Sequence, residues 1–165
     1  MPGSTDVTLQ LRVLIAKQRL EVFESDRFVC SYLVSTARNG PGEKRGSECT
    51  PRGLHQVRAR IGAGAPIFSV FKGRRQTGEI YCAALARDYP ERDWILTRIL
   101  WLSGLEPGRN RFRDVDTAWR FIYIHGSPDH LIQGFPDSHG CIRMKNSDMI
   151  QLFDRVPLGT RVMIE

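Results

Sequence analysis

Residues 138–144 read Ser-His-Gly-Cys-Ile-Arg-Met, and His125-Gly126 lies upstream of this stretch. A cysteine attacks a carbonyl only as the thiolate, and a free thiol with a pKa of about 8.5 is mostly protonated at neutral pH. An imidazole can take that proton, and both His125 and His139 are candidates. Gly140 allows a sharp turn beside Cys141 and the close approach of a substrate carbonyl. The stretch therefore predicts a nucleophilic cysteine.

Strand patterns predict how the thiol and the imidazole meet. Residues 119–124 (WRFIYI) predict a strand that ends at His125, and residues 142–144 predict a short strand after Cys141. Two strand ends at one sheet edge would bring the two side chains together. Such a pair needs a third group that fixes the ring tautomer. A backbone carbonyl, Asp129 and Asp137 are the alternatives.

The rest of the chain is predicted to be mainly β. Alternating and β-branched residues predict strands over 7–15, 19–23, 28–35, 54–61, 66–71, 80–84 and 160–164. Residues 94–102 fit a buried strand or a short helix, and Ser147 is the predicted N-cap of a helix over 148–155. Because no repeat, low-complexity segment or linker is found, residues 1–165 are predicted to form a single domain.

Composition narrows the classes of partner. The hydrophobic content of 41% and charged content of 25% are typical of a soluble globular protein. The net charge of +6 comes from scattered basic residues, which are typical of a solvated basic surface and do not form a nucleic-acid-binding pattern. Attraction of anionic substrates is the alternative. No segment is apolar enough for membrane insertion, and no signal peptide is visible. We expect a cytoplasmic protein, or a periplasmic one if the natural N-terminus lies upstream.

The other cysteines are expected to be free thiols in a reducing compartment. Cys30 and Cys82 are predicted to be small core residues, and Cys49 lies in a predicted polar loop. No CxxC pair suggests a structural zinc site. Zinc held by the two motif histidines and Cys141 is an alternative, but the same residue types serve thiol catalysis without metal. No cofactor or metal is therefore expected.

With these motifs, the chain resembles the L,D-transpeptidase catalytic domain of the YkuD type. The resemblance spans nearly the whole chain, and its specific part is Ser-His-Gly-Cys with an upstream His-Gly. It is carried by Gln18-Arg19-Leu20, Val34-Ser35-Thr36, Thr50-Pro51-Arg52-Gly53, Ile124-His125-Gly126, Gly134, residues 138–144, Asp148 and residues 156–162. The resemblance implies a β-sandwich or partial barrel with one or two short helices.

The resemblance also implies roles for the motif residues. Cys141 would attack the carbonyl between a diamino acid and D-alanine in a peptidoglycan stem peptide. His125 would be the general base, with the Gly126 carbonyl orienting its ring. The backbone N–H groups of His139, Gly140 and Cys141 would form an oxyanion hole, in which one donor is worth about 3 kcal/mol of barrier.

A second group of residues is expected on the substrate side of the site. Arg143 would hold a substrate carboxylate or brace the loop. Ser138 and Tyr123 are expected to border the pocket, and Arg98 and Trp101 to line it. For all of these, a structural role in the core or at the surface is the alternative.

The acceptor that resolves the acyl-enzyme decides the activity. Water would release D-alanine and trim a tetrapeptide to a tripeptide, whereas an amine would give a cross-link or exchange a D-amino acid. Because no export signal is visible, we expect an L,D-carboxypeptidase that meets soluble muropeptides in cell-wall recycling, with L,D-transpeptidase activity as the alternative. The resemblance also implies acylation by carbapenems. A non-catalytic binder of wall peptides is a further alternative, which the intact motif disfavours.

Overall fold

The computed structural model describes residues 6–165, which form ten strands and two short α-helices. The strands are β1 (Leu9–Leu14), β2 (Arg19–Glu24), β3 (Arg27–Ser35), β4 (Gly53–Ile61), β5 (Ser69–Lys72), β6 (Arg75–Ile80), β7 (Ile95–Gly104), β8 (Tyr123–Gly126), β9 (Ile142–Met144) and β10 (Arg161–Ile164). The helices are α1 (Ala83–Asp88) and α2 (Asn146–Arg155). No helix within residues 6–165 has the length and apolar character needed to cross a membrane.

The strands form one sheet that closes on itself. Their order is β4-β10-β1-β2-β3-β9-β8-β7-β5-β6, and β4 also pairs with β7. This additional pairing closes eight strands into a barrel, from which the β5–β6 hairpin extends beside β7. The expected mainly β fold is confirmed. Of the two expected forms, a sandwich or a partial barrel, the structure has the barrel, and its ring of eight strands is closed.

The main hydrophobic core joins the barrel strands to one side of α2. Met149, Leu152 and Phe153 of the helix pack with Leu100 and Val162 of the barrel, and all five are at most 2% exposed. Burial of such a side chain contributes about 1.5–3 kcal/mol of stability. The core thereby fixes the strands that carry the motif residues.

Parallel pairing of β8 with β9 brings the two motifs together. Ile124 pairs with Ile142, and both side chains are fully buried in the main core. Because side chains alternate along a strand, His125 and Arg143, which also pair, lie on the opposite face. Cys141, just before β9, and His125, within β8, are therefore brought together by neighbouring strands inside the ring and not at the expected sheet edge.

The predicted strand over residues 119–124 is wrong for residues 119–122, since β8 begins only at Tyr123. The Asp116 carboxylate accepts the backbone N–H of Trp119 at 3.0 Å, and its carbonyl accepts that of Arg120 at 3.0 Å. Phe121 has a φ of 57°, outside the strand region. A turn built on Asp116 therefore replaces the strand.

Three further expectations are corrected. Residues 80–84 do not form a strand, because Ile80 ends the unpredicted β6 and the following alanines, which favour helix, begin α1. Cys82 is an exposed residue at the start of this helix and not a core residue. Ser147 lies inside α2, whose N-cap is Lys145.

The ambiguous segment at 94–102 is a strand with an irregularity. The β7–β8 register shifts between Leu96 and Ile99, and Thr97 has a φ of 74°. These bulge residues change which side chains face each side of the sheet. This shift decides where Arg98 points.

Candidate active site

The thiol and the imidazole line one open cleft of about 390 Å³ beside the β5–β6 turn. The cleft brings together six of the predicted site residues: Tyr123, His125, Ser138, His139, Cys141 and Arg143. Residues from the hairpin and from two loops complete its walls. These are Gly73, Arg74, Asp93, Ile95, Arg120, Phe121 and Ile122.

The His125 ring is held by the backbone. Its Nδ1 atom lies 2.6 Å from the carbonyl oxygen of Gly126. Because a carbonyl can only accept, Nδ1 carries the proton and the other ring nitrogen, Nε2, keeps its lone pair. Of the alternatives, Asp129 instead binds Asn146 at 2.9 Å and Asp137 pairs with Arg38. The carbonyl is therefore the orienting group.

This geometry requires a glycine at position 126, because the neighbouring residues leave no room for a side chain. An added Cβ would lie 2.5 Å from the carbonyl oxygen of Leu96 and 2.8 Å from Oδ1 of Asn146. The Asn146 side chain is fully buried and also donates to the Ser127 carbonyl at 2.8 Å. A larger residue at 126 would displace the backbone that orients the imidazole.

The Cys141 thiol is held in a protonated, resting state. The backbone N–H of Tyr123 donates to Sγ at 3.3 Å, and the thiol donates to the Phe121 carbonyl at 3.4 Å. Burial raises the pKa of Cys141 to about 12 and lowers the pKa of His125. These shifts leave both groups neutral at pH 7.

The loop before the cysteine is organised by Ser138. Its buried hydroxyl donates to the Cys141 carbonyl at 2.6 Å and accepts the Gly140 N–H at 3.2 Å. Ser138 lines the cleft, as expected, and its hydroxyl also holds the loop. The Gly140 N–H, which was expected in the oxyanion hole, donates to this hydroxyl instead. In residues 6–165, the backbone N–H groups of His139 and Cys141 have no hydrogen-bond partner.

Two features fix the backbone at Gly140. Its φ of 132° lies in the region that favours glycine, and an added Cβ would lie 3.2 Å from the Cys49 carbonyl oxygen. The Thr50 hydroxyl donates to the Gly140 carbonyl at 2.9 Å and accepts the Ala37 N–H at 2.9 Å. Thr50 thus ties the predicted Thr-Pro-x-Gly segment to the loop before Cys141.

Arg143 braces the loop. Its Nη2 lies 2.9 Å from Oδ1 of Asp93, and its Nη1 donates to the Asp137 carbonyl at 3.3 Å. The exposed His139 ring lies at the cleft mouth, with Nδ1 3.9 Å from Oδ2 of Asp93. No group of three or more His, Cys, Asp or Glu side chains in residues 6–165 is arranged to hold a metal.

Of the remaining residues expected at the pocket, Tyr123 borders the cleft, whereas Trp101 and Arg98 do not line it. The Tyr123 side chain borders the cleft, and Trp101 packs edge-on against it at 6.2 Å between ring centroids, behind the cleft wall. The expectation for Arg98 is corrected: its Nη1 donates to the carbonyls of Ala65 and Thr97, away from the cleft. The β7 bulge accounts for this direction.

A protein-family model matches nearly the whole chain. Residues 10–164 match the family model described as YkuD, the L,D-transpeptidase catalytic domain. The chain belongs to this family. The match covers every strand of the barrel except the first residue of β1, and it includes both motifs.

Curated relatives match this L,D-transpeptidase domain over a short segment. ErfK/SrfK of Salmonella typhimurium, named a probable L,D-transpeptidase, is 49% identical over 45 residues, which are 27% of this chain and 15% of the relative. YbiS of Escherichia coli, also named a probable L,D-transpeptidase, is 46% identical over 43 residues, 26% and 14% of the two chains. The matched segments thus span a small part of these relatives.

Solved structures share the fold of the domain. The L,D-transpeptidase of Xylanimonas cellulosilytica has a TM-score of 0.57 at 21% identity, covering 99% of this chain and 63% of that one. L,D-transpeptidase 3 of Mycobacterium tuberculosis, solved with a faropenem-derived adduct, has a TM-score of 0.57 at 13% identity, covering 96% and 60%. At these identities the likeness concerns the fold alone.

Several residues that shape the site of this L,D-transpeptidase domain are not predicted from the sequence. Asp93 and Arg74 reach the cleft from segments distant in the chain, and Arg120 reaches it from the turn before β8; nothing in their local sequence marks them. Thr50 had a signal, because it lies in a segment that carried the family resemblance. Asp116 could have been recognised as a turn residue, because aspartate is frequent in turns.

Proposed function

We propose that this domain is a cysteine-dependent acyl-transfer enzyme that cleaves the bond between the diamino acid and D-alanine of peptidoglycan stem peptides. The observation that carries the proposal is the hydrogen bond from His125 Nδ1 to the Gly126 carbonyl, which leaves Nε2 as a base in the cleft that contains Cys141. Membership of the L,D-transpeptidase family supports the substrate class.

The first half-reaction follows from these groups. As Sγ of Cys141 bonds to the scissile carbonyl carbon, Nε2 of His125 takes the thiol proton. The developing oxyanion accepts the unpartnered N–H groups of His139 and Cys141. Collapse breaks the carbon–nitrogen bond, the imidazolium protonates the departing amine of D-alanine, and a thioester remains on Cys141.

In the second half-reaction we propose water as the acceptor. As the water oxygen bonds to the thioester carbon, His125 takes a proton from the water. The carbon–sulfur bond then breaks, and the imidazolium returns that proton to the Cys141 sulfur. The product is a tripeptide with a free carboxylate. The cleft is open, with a volume of about 390 Å³, so water can reach a thioester on Cys141. The reaction with water is that of an L,D-carboxypeptidase.

L,D-transpeptidase activity is the second candidate. A neighbouring cavity of about 260 Å³ shares Arg120, Phe121, Ile122 and His139 with the cleft. An acceptor amine on a second stem peptide could approach the thioester from that cavity. Cross-linked dimers would then form in place of tripeptide.

Mass spectrometry of a disaccharide-tetrapeptide incubated with the protein tests the proposal. We expect loss of one alanine residue with wild type and no change with Cys141→Ala. Dimers or D-amino-acid exchange would replace the carboxypeptidase with the transpeptidase. An unchanged substrate with the wild-type protein would contradict both activities.

The same chemistry leads us to propose that carbapenems acylate Cys141, because their strained lactam carbonyl offers the nucleophile an acyl donor. Support comes from related folds solved in complex with imipenem and with a faropenem-derived adduct. The cytoplasmic location and the role in recycling soluble muropeptides stay predictions.

A further inference from the structure

Three arginines line the cleft, and two of them are fully engaged by the protein itself. Arg143 is 6% exposed and forms its ion pair with Asp93. Its charge is therefore compensated in the free protein. A substrate carboxylate would have to compete with Asp93 for the same guanidinium.

Arg120 is engaged by backbone oxygens. Its Nη1 donates to the carbonyls of Gly42 and Glu43 at 3.2 and 3.1 Å. Its Nη2 donates to the Cys49 carbonyl at 2.7 Å and to the Ser47 hydroxyl at 3.3 Å. Both terminal nitrogens hold the loop over residues 42–49 in place, and a ligand would have to displace that loop.

Arg74 differs from both. It lies in the tight β5–β6 turn with a φ of 64°, and its Nη1 donates to the Tyr123 hydroxyl at 3.0 Å. Its guanidinium carbon lies 4.5 Å from the centroid of the Trp101 ring and 5.1 Å from that of Phe121. Within residues 6–165, the Arg74 side chain forms one hydrogen bond, to the Tyr123 hydroxyl, and no ion pair with an acidic group.

We propose that Arg74 binds a carboxylate of the acyl donor, the role that sequence reasoning gave to Arg143. The aromatic rings hold the guanidinium plane, and its remaining N–H groups can form the paired hydrogen bonds that a carboxylate accepts. Because the side chain is already ordered, little conformational freedom is lost on binding. This inference rests on the proposed function, since it concerns the substrate of the same cleft.

Two carboxylates of a stem peptide could fill this role. One is the terminal carboxylate of D-alanine, one residue beyond the scissile carbonyl. The other lies on the side chain of the diamino acid when that residue is diaminopimelic acid. Both present the same chemistry to a guanidinium, so substrates that lack one or the other can distinguish them.

The test compares wild type, Arg74→Gln and Arg75→Gln on a diaminopimelic tetrapeptide, its C-terminal carboxamide and its side-chain carboxamide. Arg75 is the matched control, because it is exposed in the same hairpin and does not line the cleft. On the tetrapeptide, we expect Arg74→Gln to lower kcat/KM about 10- to 100-fold and Arg75→Gln to stay within about twofold. On the carboxamide that lacks the bound carboxylate, the deficit of Arg74→Gln should shrink to about twofold.

A deficit of equal size on all three peptides, or no deficit on any, would overturn the role of Arg74. Equal melting temperatures of wild type and Arg74→Gln would confirm that a deficit is not due to unfolding. Failure of the proposed function is distinguishable, because the wild-type protein would then cleave none of the peptides. If wild type cleaves them and Arg74→Gln matches Arg75→Gln, only the inference about Arg74 fails.

Discussion

Nδ1 of His125 lies 2.6 Å from the carbonyl oxygen of Gly126, so the backbone of the next residue fixes the tautomer of the proposed base. This contact favours the protonated ring, but burial outweighs it and lowers the pKa of His125. The ring therefore stays neutral, and able to act as a base, below the ordinary histidine pKa of about 6.5.

The pH profile of kcat/KM should reflect this burial. We expect activity on the tetrapeptide to hold from pH 8 to below pH 6.5 and to fall only as the pH drops through the lowered pKa of His125. The measurement is kcat/KM between pH 4 and 8, since this parameter reports groups of the free enzyme. An acid limb centred at or above pH 6.5 would contradict the effect of burial.

Alkylating reagents should modify the Cys82 thiol faster than the Cys141 thiol, the proposed nucleophile. Because burial raises the pKa of Cys141 to about 12, little thiolate exists at pH 7.5, whereas Cys82 is exposed. We expect iodoacetamide to label Cys82 at least about tenfold faster, as followed by peptide mass spectrometry. Faster labelling of Cys141, with Cys82→Ala as the control for site assignment, would indicate a resting thiolate instead.

Loss of the Ser138 hydroxyl should disturb the loop before Cys141. Ser138→Ala leaves the Gly140 N–H and the Cys141 carbonyl without their partner, and we expect a loss of about 1–3 kcal/mol in the free energy of unfolding. We expect kcat to fall as well. Ser147→Ala is the control: this exposed side chain makes no cap hydrogen bond, so urea unfolding should change by less than about 0.5 kcal/mol. A loss of about 1 kcal/mol there would instead restore Ser147 as the N-cap.

Acid should weaken the fold through His55. This fully buried ring lies 2.9 Å from the Gly53 carbonyl oxygen through Nδ1 and 3.0 Å from the Thr117 hydroxyl through Nε2, and burial lowers its pKa to about 4. Between pH 6.5 and 4 the unfolded chain binds the proton first, so the free energy of unfolding should drop by about 3 kcal/mol as the pH falls through this window.

Urea unfolding at pH 4, 5, 6 and 7 checks this effect of His55. His55→Asn keeps a donor for the Gly53 carbonyl but cannot titrate, so its stability should depend less on pH than that of wild type. His125 contributes in the same direction in both proteins and cancels in the comparison. Parallel curves for the two proteins would show that His55 does not cause the acid sensitivity.

Periodicity identified the strands whose side chains alternate between core and surface. β1, β2, β3, β4 and β10 were predicted to within a few residues, because one face of each is buried. Residues 119–122 read as a strand from composition, yet the side chain of Asp116 binds their backbone as a turn. The hydrogen bond to Asp116, which lies outside the segment, therefore determines the backbone conformation there more strongly than local β propensity does.

For the site, residues adjacent in the chain were predictable and those brought by topology were not. His125, Gly126 and Cys141 lie at strand ends that the sequence marks clearly. Arg74 and Asp93 belong to segments whose position depends on the β5–β6 hairpin, and β6 was missed because its exposed residues do not alternate. Arg98 was misplaced because a bulge, which periodicity does not reveal, turns it away.

The position of β8 and β9 in the closed ring ties catalysis to the integrity of the whole barrel. Each strand is hydrogen-bonded on both sides, β8 between β7 and β9, and β9 between β3 and β8. Neither strand can fray alone, so amide hydrogens in both should exchange with solvent only when the entire domain unfolds. Heat should accordingly abolish turnover at the melting temperature itself, without an earlier stage in which a folded but inactive enzyme accumulates.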